Sequence, residues 1–472
     1  MNEFKIFVGG EFLTTDRPLK VTNPYNGEII GQTYLGSSHE LEKAIHQAQA
    51  VQKPMCDLPS FARYEALMKI AGHIKEEREE FARLLCLESA KPIRYALSEV
   101  DRAIQTFIVA AEEAKRLPKE YIDLDWTPAG TGKEGLVKYF PIGLVAGISP
   151  FNFPLNLAAH KIAPALASGC PIILKPSSTT PLSTLKLAQT IIKTDLPKGA
   201  VSILPMDRKT GNLLVTDERF KLLTFTGSPE VGWKMKQDAG KKKIVLELGG
   251  NAAVIVTESA EIDQAAAKCV IGGFSYSGQV CIHAQLIYVH KEIFNVFADK
   301  FIHAVKSLRV GDPLDIITDI SAMIDETNAI RVEKWVNEAI NEGATVLTGG
   351  LRKGSFYPPT VLTGTKSEMK VCALEVFGPV VTLEPYSSFE EVLSVVNEGK
   401  YGLQAGMFTN DLKQVNQAFD QLEVGGVIIN DVPTFRVDHM PYGGIKDSGL
   451  GREGVKYAIL EMMEPKILVK SR

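Results

Sequence analysis

Through the first third of the chain the apolar positions recur at helical spacing. In "HELEKAIHQAQAVQKPM" and "FARYEALMKIAGHIKEEREEFARLLCLESA" they stand three or four apart, with charges on the opposite face. "SEVDRAIQTFIVAAEEAKRL" predicts another such helix. The rhythm then breaks at "PKEYIDLDWTPAGTGKEGLVKYFP", a polar stretch rich in turn residues that reads as a protruding hairpin. From Gly143 onward short apolar runs alternate with helical ones: "GLVAGIS", then "PLNLAAHKIAPALASG" closed by Gly169, then "PIILKPS". "TTPLSTLKLAQTIIKT" follows, with Thr180 expected as N-cap and Pro181 in the first turn. "AVSILP", "LLTFTGS" and "KIVLELGG" predict more buried strands.

Continuous apolar strands separated by helices specify an α/β fold with a parallel, doubly wound sheet covered on both faces. A second series begins at "AAVIV" and runs through "IDQAAAKCVIGGFSYSG", "AQLIYVH", "EIFNVFADKFIHAVKSL" and "VEKWVNEAINEGATVLTGG". The closing "EPKILVK" reads as a lone strand in need of a sheet.

Composition narrows the class. The 472 residues are 45% hydrophobic, enough for large cores in two or more domains. Lys+Arg 52 against Asp+Glu 56 gives a net charge of -4 with both signs mixed, so no nucleic-acid surface is expected. The opening "MNEFKIFVGGEF" has no basic stretch leading into an apolar one, and the most apolar segment is broken by Pro and Gly. A cytoplasmic protein without a membrane span is therefore expected. Six scattered cysteines without a CxxC pair argue against zinc and disulfide frameworks, and no metal is expected.

Two GxGxxG matches fail in context. The one beginning at Gly130 precedes a strand, and the one beginning at Gly449 follows no buried strand, whereas a dinucleotide fingerprint needs strand, glycines and helix in that order. "FTGSPEVG", Phe225 to Gly232, is the better anion site: it ends a strand at Gly227, offers Ser228 as N-cap and opens a helix. On local sequence alone a plain strand-to-helix cap is the favoured reading.

Four segments carry candidate chemistry. "SPFNFP" and "LELGG" put Asn152 and Glu247 at predicted strand ends, where ligands of open α/β sheets collect. "SGQVC" sets Cys281 on a glycine-containing turn, and "EVFGP" sets Glu375 before a Phe-Gly-Pro turn. A thiol, a carboxamide and a carboxylate can act as nucleophile, oxyanion donor and general base. Each alone also has a bland reading: packing, a helix cap, a solvated acid. The remaining cysteines read as packing.

Taken in order, "SPFNFPLNL", "LKPS", "FTGSPEVG", "LELGGN", "GQVC", "EVFGPV" and "PYGGIKDSGLGREG" resemble the aldehyde dehydrogenase superfamily over nearly the whole chain. The resemblance implies that family's fold: a Rossmann-like cofactor domain (1–118 and 141–247), a catalytic domain (248–445) and a small β oligomerisation arm (119–140 and 446–472). It implies a small aldehyde as substrate and a homodimer or homotetramer as the assembly. It also implies that Cys281 attacks the aldehyde, that Asn152 supports the oxyanion and that Glu247 activates water to hydrolyse a thioester.

By the same resemblance NAD or NADP is held by residues of the motif strands and turns: Ile148, Ser149, Lys175, Ser178, Gly227, Ser228, Val231, Leu248, Glu375 and Phe377. NAD-preferring relatives often carry Glu where Ser178 stands, so NADP or dual use is expected beside NAD. The substrate side would be lined by Arg102, Phe153, His283, Arg436 and His439, with His283 facing the entry or the subunit surface. A similar "EV-x-R" helix and "FR-x-D" loop occur in dehydrogenases of lactaldehyde, sulfolactaldehyde, phosphonoacetaldehyde and glyceraldehyde 3-phosphate, while succinic semialdehyde is a further candidate. Arg102 and Arg436 would bind a hydroxyl or anionic group; salt bridges such as Arg102 with Glu99 or Arg436 with Asp438 are the structural reading. Alternatives on the same residues are a coenzyme A-acylating dehydrogenase, a cofactor-independent thioesterase, or a non-catalytic protein that kept the fold.

Overall fold

A computed structural model describes residues 2–471. Its first large sheet has Val145–Ile148 at the centre. Ile172–Lys175 and Val201–Ile203 pair in parallel on one side, and Leu222–Gly227 and Lys243–Leu248 on the other. Antiparallel strands close both edges: Gly449–Leu450 beside Lys243–Leu248, and the Ile6–Val8/Glu11–Leu13 hairpin at the far side. The chain therefore reverses direction across Val145–Ile148, and the carboxyl ends on either side open a crevice there. The helices predicted from the first third, observed at Ser38–Ala50, Ser60–Glu76, Arg78–Ser89 and Ile93–Ala114, pack into the cores of this sheet.

The second sheet runs Thr345–Thr348, Thr360–Thr363, Val380–Tyr386, Leu286–His290, Ala253–Val256, Gln404–Phe408, Gly426–Ile429, parallel except at its first strand. The predicted hairpin forms as Lys119–Asp123 against Lys133–Pro141, and Met463–Ser471 adds antiparallel to it. Residues 446–462, expected within this arm, lie outside it: Lys446 pairs with Tyr401 in a separate two-stranded ladder, and residues 449–462 lie on the first sheet. Gly449–Leu450 joins its edge and the helix Val455–Glu461 supplies Val455 and Ile459 to its core. No helix among the described residues is long and apolar enough to cross a membrane.

One expected cap is corrected. The helix after Lys175 begins at Leu182, with Pro181 rather than Thr180 at the N-cap. Its first N–H groups, Leu182 and Ser183, donate to the buried carboxylate of Glu88 at 2.8 and 3.1 Å, while the Thr180 hydroxyl donates to the Phe151 carbonyl. A cap supplied from another helix leaves no local signal.

Candidate active site

The chain leaves the helix Ile262–Phe274 through consecutive left-handed residues: Tyr276 at φ 49°, Ser277 at 54° and Gly278 at 67°. A side chain at Gly278 would overlap the Gly378 carbonyl. Neighbours secure this strained turn: the Tyr276 hydroxyl donates to Ser89 O at 3.2 Å, Ser277 to Ser321 O at 2.8 Å, and Gln279 Oε1 accepts from Ile324 N–H at 2.9 Å. The turn delivers Cys281 partly exposed. Its Sγ lies 3.0 Å from the Tyr442 hydroxyl, and its backbone N–H has no acceptor among the described residues. Burial pushes the thiol up to about 11, against the pull of Tyr442 and Arg436. Cys86, Cys170, Cys269 and Cys372 are buried packing as expected, whereas Cys56 is exposed.

Asn152 and Glu247 emerge from the strand ends that the sequence indicated. Asn152 follows Val145–Ile148, is 3% exposed, and its Nδ2 donates to Gln279 O at 3.0 Å, two residues from the thiol. Glu247 is also buried, and neither of its carboxylate oxygens has a hydrogen-bond partner among the described residues. Burial and the nearby charge of Glu453 raise it well above the ordinary carboxylate range, opposed by Arg436, Lys161 and Arg452. The Cys281 thiol feels the Glu247 charge, as does Tyr442. Thiol, carboxamide and unpaired acid thus share one electrostatic site.

Several of the residues expected to hold a dinucleotide stand at the carboxyl ends of strands in the first sheet. Ile148, Lys175, Gly227 and Leu248 end their strands. Ser149 Oγ is buried without a partner among the described residues. Ser228 is the N-cap of Pro229–Asp238 but makes no side-chain cap bond, so that helix, which carries Val231, keeps free N–H groups at its start. Burial lowers the Lys175 ammonium. Ser178 is half-buried, its hydroxyl 3.5 Å from the Met206 carbonyl. Glu375 accepts from Gly250 N–H at 3.1 Å, is pushed up to about 8 by burial, and occupies the space that a side chain on Gly249 would fill. Phe377, at φ 46°, stacks edge-on against Phe151. An orphaned hydroxyl, an uncapped helix start and a glycine cradle fit a bound nicotinamide dinucleotide.

On the opposite side a cavity of about 580 Å³ is lined by Arg102, Arg436, Asp438 and His439, among others. The two arginines pair, but with other partners than Glu99 and Asp438 respectively: Arg102 meets Asp438 at 2.7 Å, and Arg436 meets Glu453 at 2.9 Å. Both arginines keep a buried Nε without a partner among the described residues. The Arg436 guanidinium lies 3.6 Å over the Tyr442 ring, and so links the cavity to the thiol. Phe153 and Cys281 both pack against the small core of Tyr276, Val280, Ile282, Leu403 and Tyr442. His283 is a correction: it is 1% exposed, its Nε2 meets the Gly273 carbonyl at 2.7 Å, and burial lowers it to about 4. It faces neither the entry nor the surface, because the turn after Cys281 directs it into the protein.

Sequence reading passed over Tyr442 and the buried charges behind it. Lys161 donates to Thr224 and Thr226 at 3.1 and 2.8 Å and meets Glu453 at 3.4 Å. His160 bonds Asp438 at 2.8 Å. Tyr442 and Glu453 stand within "PYGGIKDSGLGREG", so that motif was the available signal. Lys161 and His160 were masked inside a helix that is buried throughout. Among the described residues no group of His, Cys, Asp or Glu could hold a metal.

A crevice at the carboxyl ends of a doubly wound parallel sheet is where ligands such as dinucleotides bind in α/β folds. The chain belongs to the aldehyde dehydrogenase family, whose model matches residues 12–468. It is 43% identical over 470 residues to a 3-sulfolactaldehyde dehydrogenase of Priestia aryabhattai, covering 99% of this chain and 98% of that one. Aldehyde dehydrogenase 21 of Physcomitrella patens, solved with the reaction product succinate, superposes with a TM-score of 0.98 at 46% identity, over 100% and 98% of the two chains. The glyceraldehyde-3-phosphate dehydrogenase of Methanocaldococcus jannaschii, solved with NADP, gives 0.93 at 39% identity, over 97% and 100%. The protein is an aldehyde-oxidising enzyme that uses a nicotinamide cofactor.

Proposed function

We propose that the enzyme oxidises a short aldehyde bearing an anionic group to its carboxylic acid, through a covalent intermediate on Cys281. One observation carries the substrate class. Four cationic side chains, Lys75, Arg78, Arg102 and Arg436, line one cavity against two carboxylates, Asp101 and Asp438. An anion there would meet a net positive lining with guanidinium donors. The three relatives above act on or hold a sulfonated aldehyde, a dicarboxylate and, by name, a phosphorylated aldehyde, all anionic.

The chemistry follows from the thiol and its neighbours. Cys281 Sγ adds to the aldehyde carbon while the Asn152 carboxamide and the Cys281 backbone N–H donate to the developing oxyanion. Glu375 and Phe377 would hold a nicotinamide ring, which when bound would supply the hydride acceptor. The resulting thioester on Cys281 needs water and a base. Glu247, buried without a hydrogen-bond partner, is a strong base once it is ionised. That base favours hydrolysis over transfer to coenzyme A.

For the cofactor we propose NADP use, with NAD as a second substrate. Ser178 puts no charge where a 2′-phosphate would lie. Asp207, the carboxylate felt by Lys175, is neutralised by Arg17 at 2.7 Å and caps Thr210 N–H.

Steady-state kinetics on sulfolactaldehyde, succinic semialdehyde, glyceraldehyde 3-phosphate, lactaldehyde and hexanal test the substrate class. The anionic aldehydes should give the highest kcat/KM, and Arg102→Met should lower it for them by about 10- to 100-fold while leaving hexanal within about twofold. Best turnover with hexanal, or an equal loss on every aldehyde, contradicts it.

A further inference from the structure

Behind Asn152 lies a buried cation that the catalytic scheme does not use. The helix Arg78–Ser89 ends at Ala90, which adopts a left-handed φ of 53° and turns Lys91 into the protein. Lys91 is 0% exposed. Its ammonium donates to the backbone carbonyl of Asn152 at 2.6 Å and pairs with the Glu99 carboxylate. It also lies 3.9 Å from the centre of the Phe153 ring and 4.6 Å from that of Tyr276. Glu99 does a second job: its other oxygen accepts from Leu155 and Asn156 N–H at 3.0 and 3.2 Å, at the start of the helix Pro154–Ser168.

The pair therefore grips the Asn152 segment from both ends. Lys91 holds the carbonyl of residue 152, and Glu99 holds the amides that follow it. Through the face of Tyr276 the same ammonium touches the strained turn that delivers Cys281. An ion pair removed from water costs free energy, and a hydrophobic pair of similar volume would stabilise the fold as well or better. Here its bonds all converge on the two segments that flank the thiol.

We propose that Lys91, oriented by Glu99, is a positioning residue that fixes Asn152 and the Cys281 turn in the geometry needed to receive the oxyanion. It never touches the substrate. The inference rests on Asn152 being the oxyanion donor. Replacing Lys91 should therefore impair the chemical step without weakening aldehyde binding, and its effect should vanish once Asn152 has lost its carboxamide.

The test is a double-mutant cycle on kcat and KM, with thermal melting recorded for every variant. Asn152→Ala should lower kcat by about 10²–10³. Lys91→Met alone, and the charge-free pair Lys91→Met with Glu99→Gln, should each lower kcat by about 10- to 100-fold with KM within about threefold. In the Asn152→Ala background the same changes should cost less than about threefold. The charge-free pair leaves no buried unpaired charge, so it remains a measurable folded protein if Lys91→Met alone does not. Normal kcat in the charge-free pair overturns the proposal, as does an equal loss with and without Asn152. Full activity of Asn152→Ala is a different failure: it removes the oxyanion reading itself, and the positioning role with it.

Discussion

The proposed attack by the thiol and the burial of its surroundings make opposing demands on Cys281. Burial raises the thiol to about 11, so little thiolate exists at neutral pH, while the Tyr442 hydroxyl and Arg436 pull the other way. In cofactor-free enzyme, iodoacetamide labelling of Cys281 should therefore speed up about tenfold per pH unit between pH 7 and 10 and level off near 11. Labelling read site by site on digested peptides separates it from the exposed Cys56. A rate already flat above pH 7 would mean an ordinary activated thiolate instead. At this scale much was legible: the motifs that carry Cys281, Asn152 and Glu247 put all three in one site. His283 was misread because spacing from the thiol says nothing about which way a turn points. Both arginines line one cavity, but their carboxylate partners were not read: Asp438 reaches Arg102 from 336 positions away and Glu453 reaches Arg436 from 17.

The elements were legible where apolar spacing is dense and local. Helices of the first third and the parallel strands from Val145 to Val256 follow their patterns. Strands between Thr360 and Ile429, among them Thr360–Thr363, Val380–Tyr386 and Gly426–Ile429, were not assigned from the sequence. The last strand carries its own consequence. Met463–Ser471 pairs along one edge, yet Ile467, Leu468 and Val469 are 47%, 50% and 48% exposed. Apolar side chains on an arm of this kind call for a second subunit, and we propose a homodimer or a tetramer built from such dimers. Light scattering should give a multiple of the subunit mass for the wild type, and a single subunit mass for Leu468→Asp. A monomeric wild type, or an undisturbed oligomer in the variant, would show that the arm serves another purpose.

At the level of the whole molecule, two parallel sheets are brought together so that their loops share one centre. Asn152 and Glu247 come from the first sheet, Cys281 and Glu375 from loops of the second, and the Asn152–Gln279 and Gly250–Glu375 hydrogen bonds join the halves. The doubly wound class was readable from continuous apolar strands. The crevice itself was not, because it depends on strand order, and order is set by long-range packing. We propose that acylation of Cys281 and deacylation by Glu247 are separate steps. Stopped-flow absorbance of the reduced cofactor, with Glu247→Gln mixed against excess anionic aldehyde, tests it most directly. We expect a burst approaching one cofactor reduced per site, followed by turnover slowed by about 10²- to 10⁴-fold. Burst and steady state falling together, or a variant that turns over normally, would contradict the role given to Glu247.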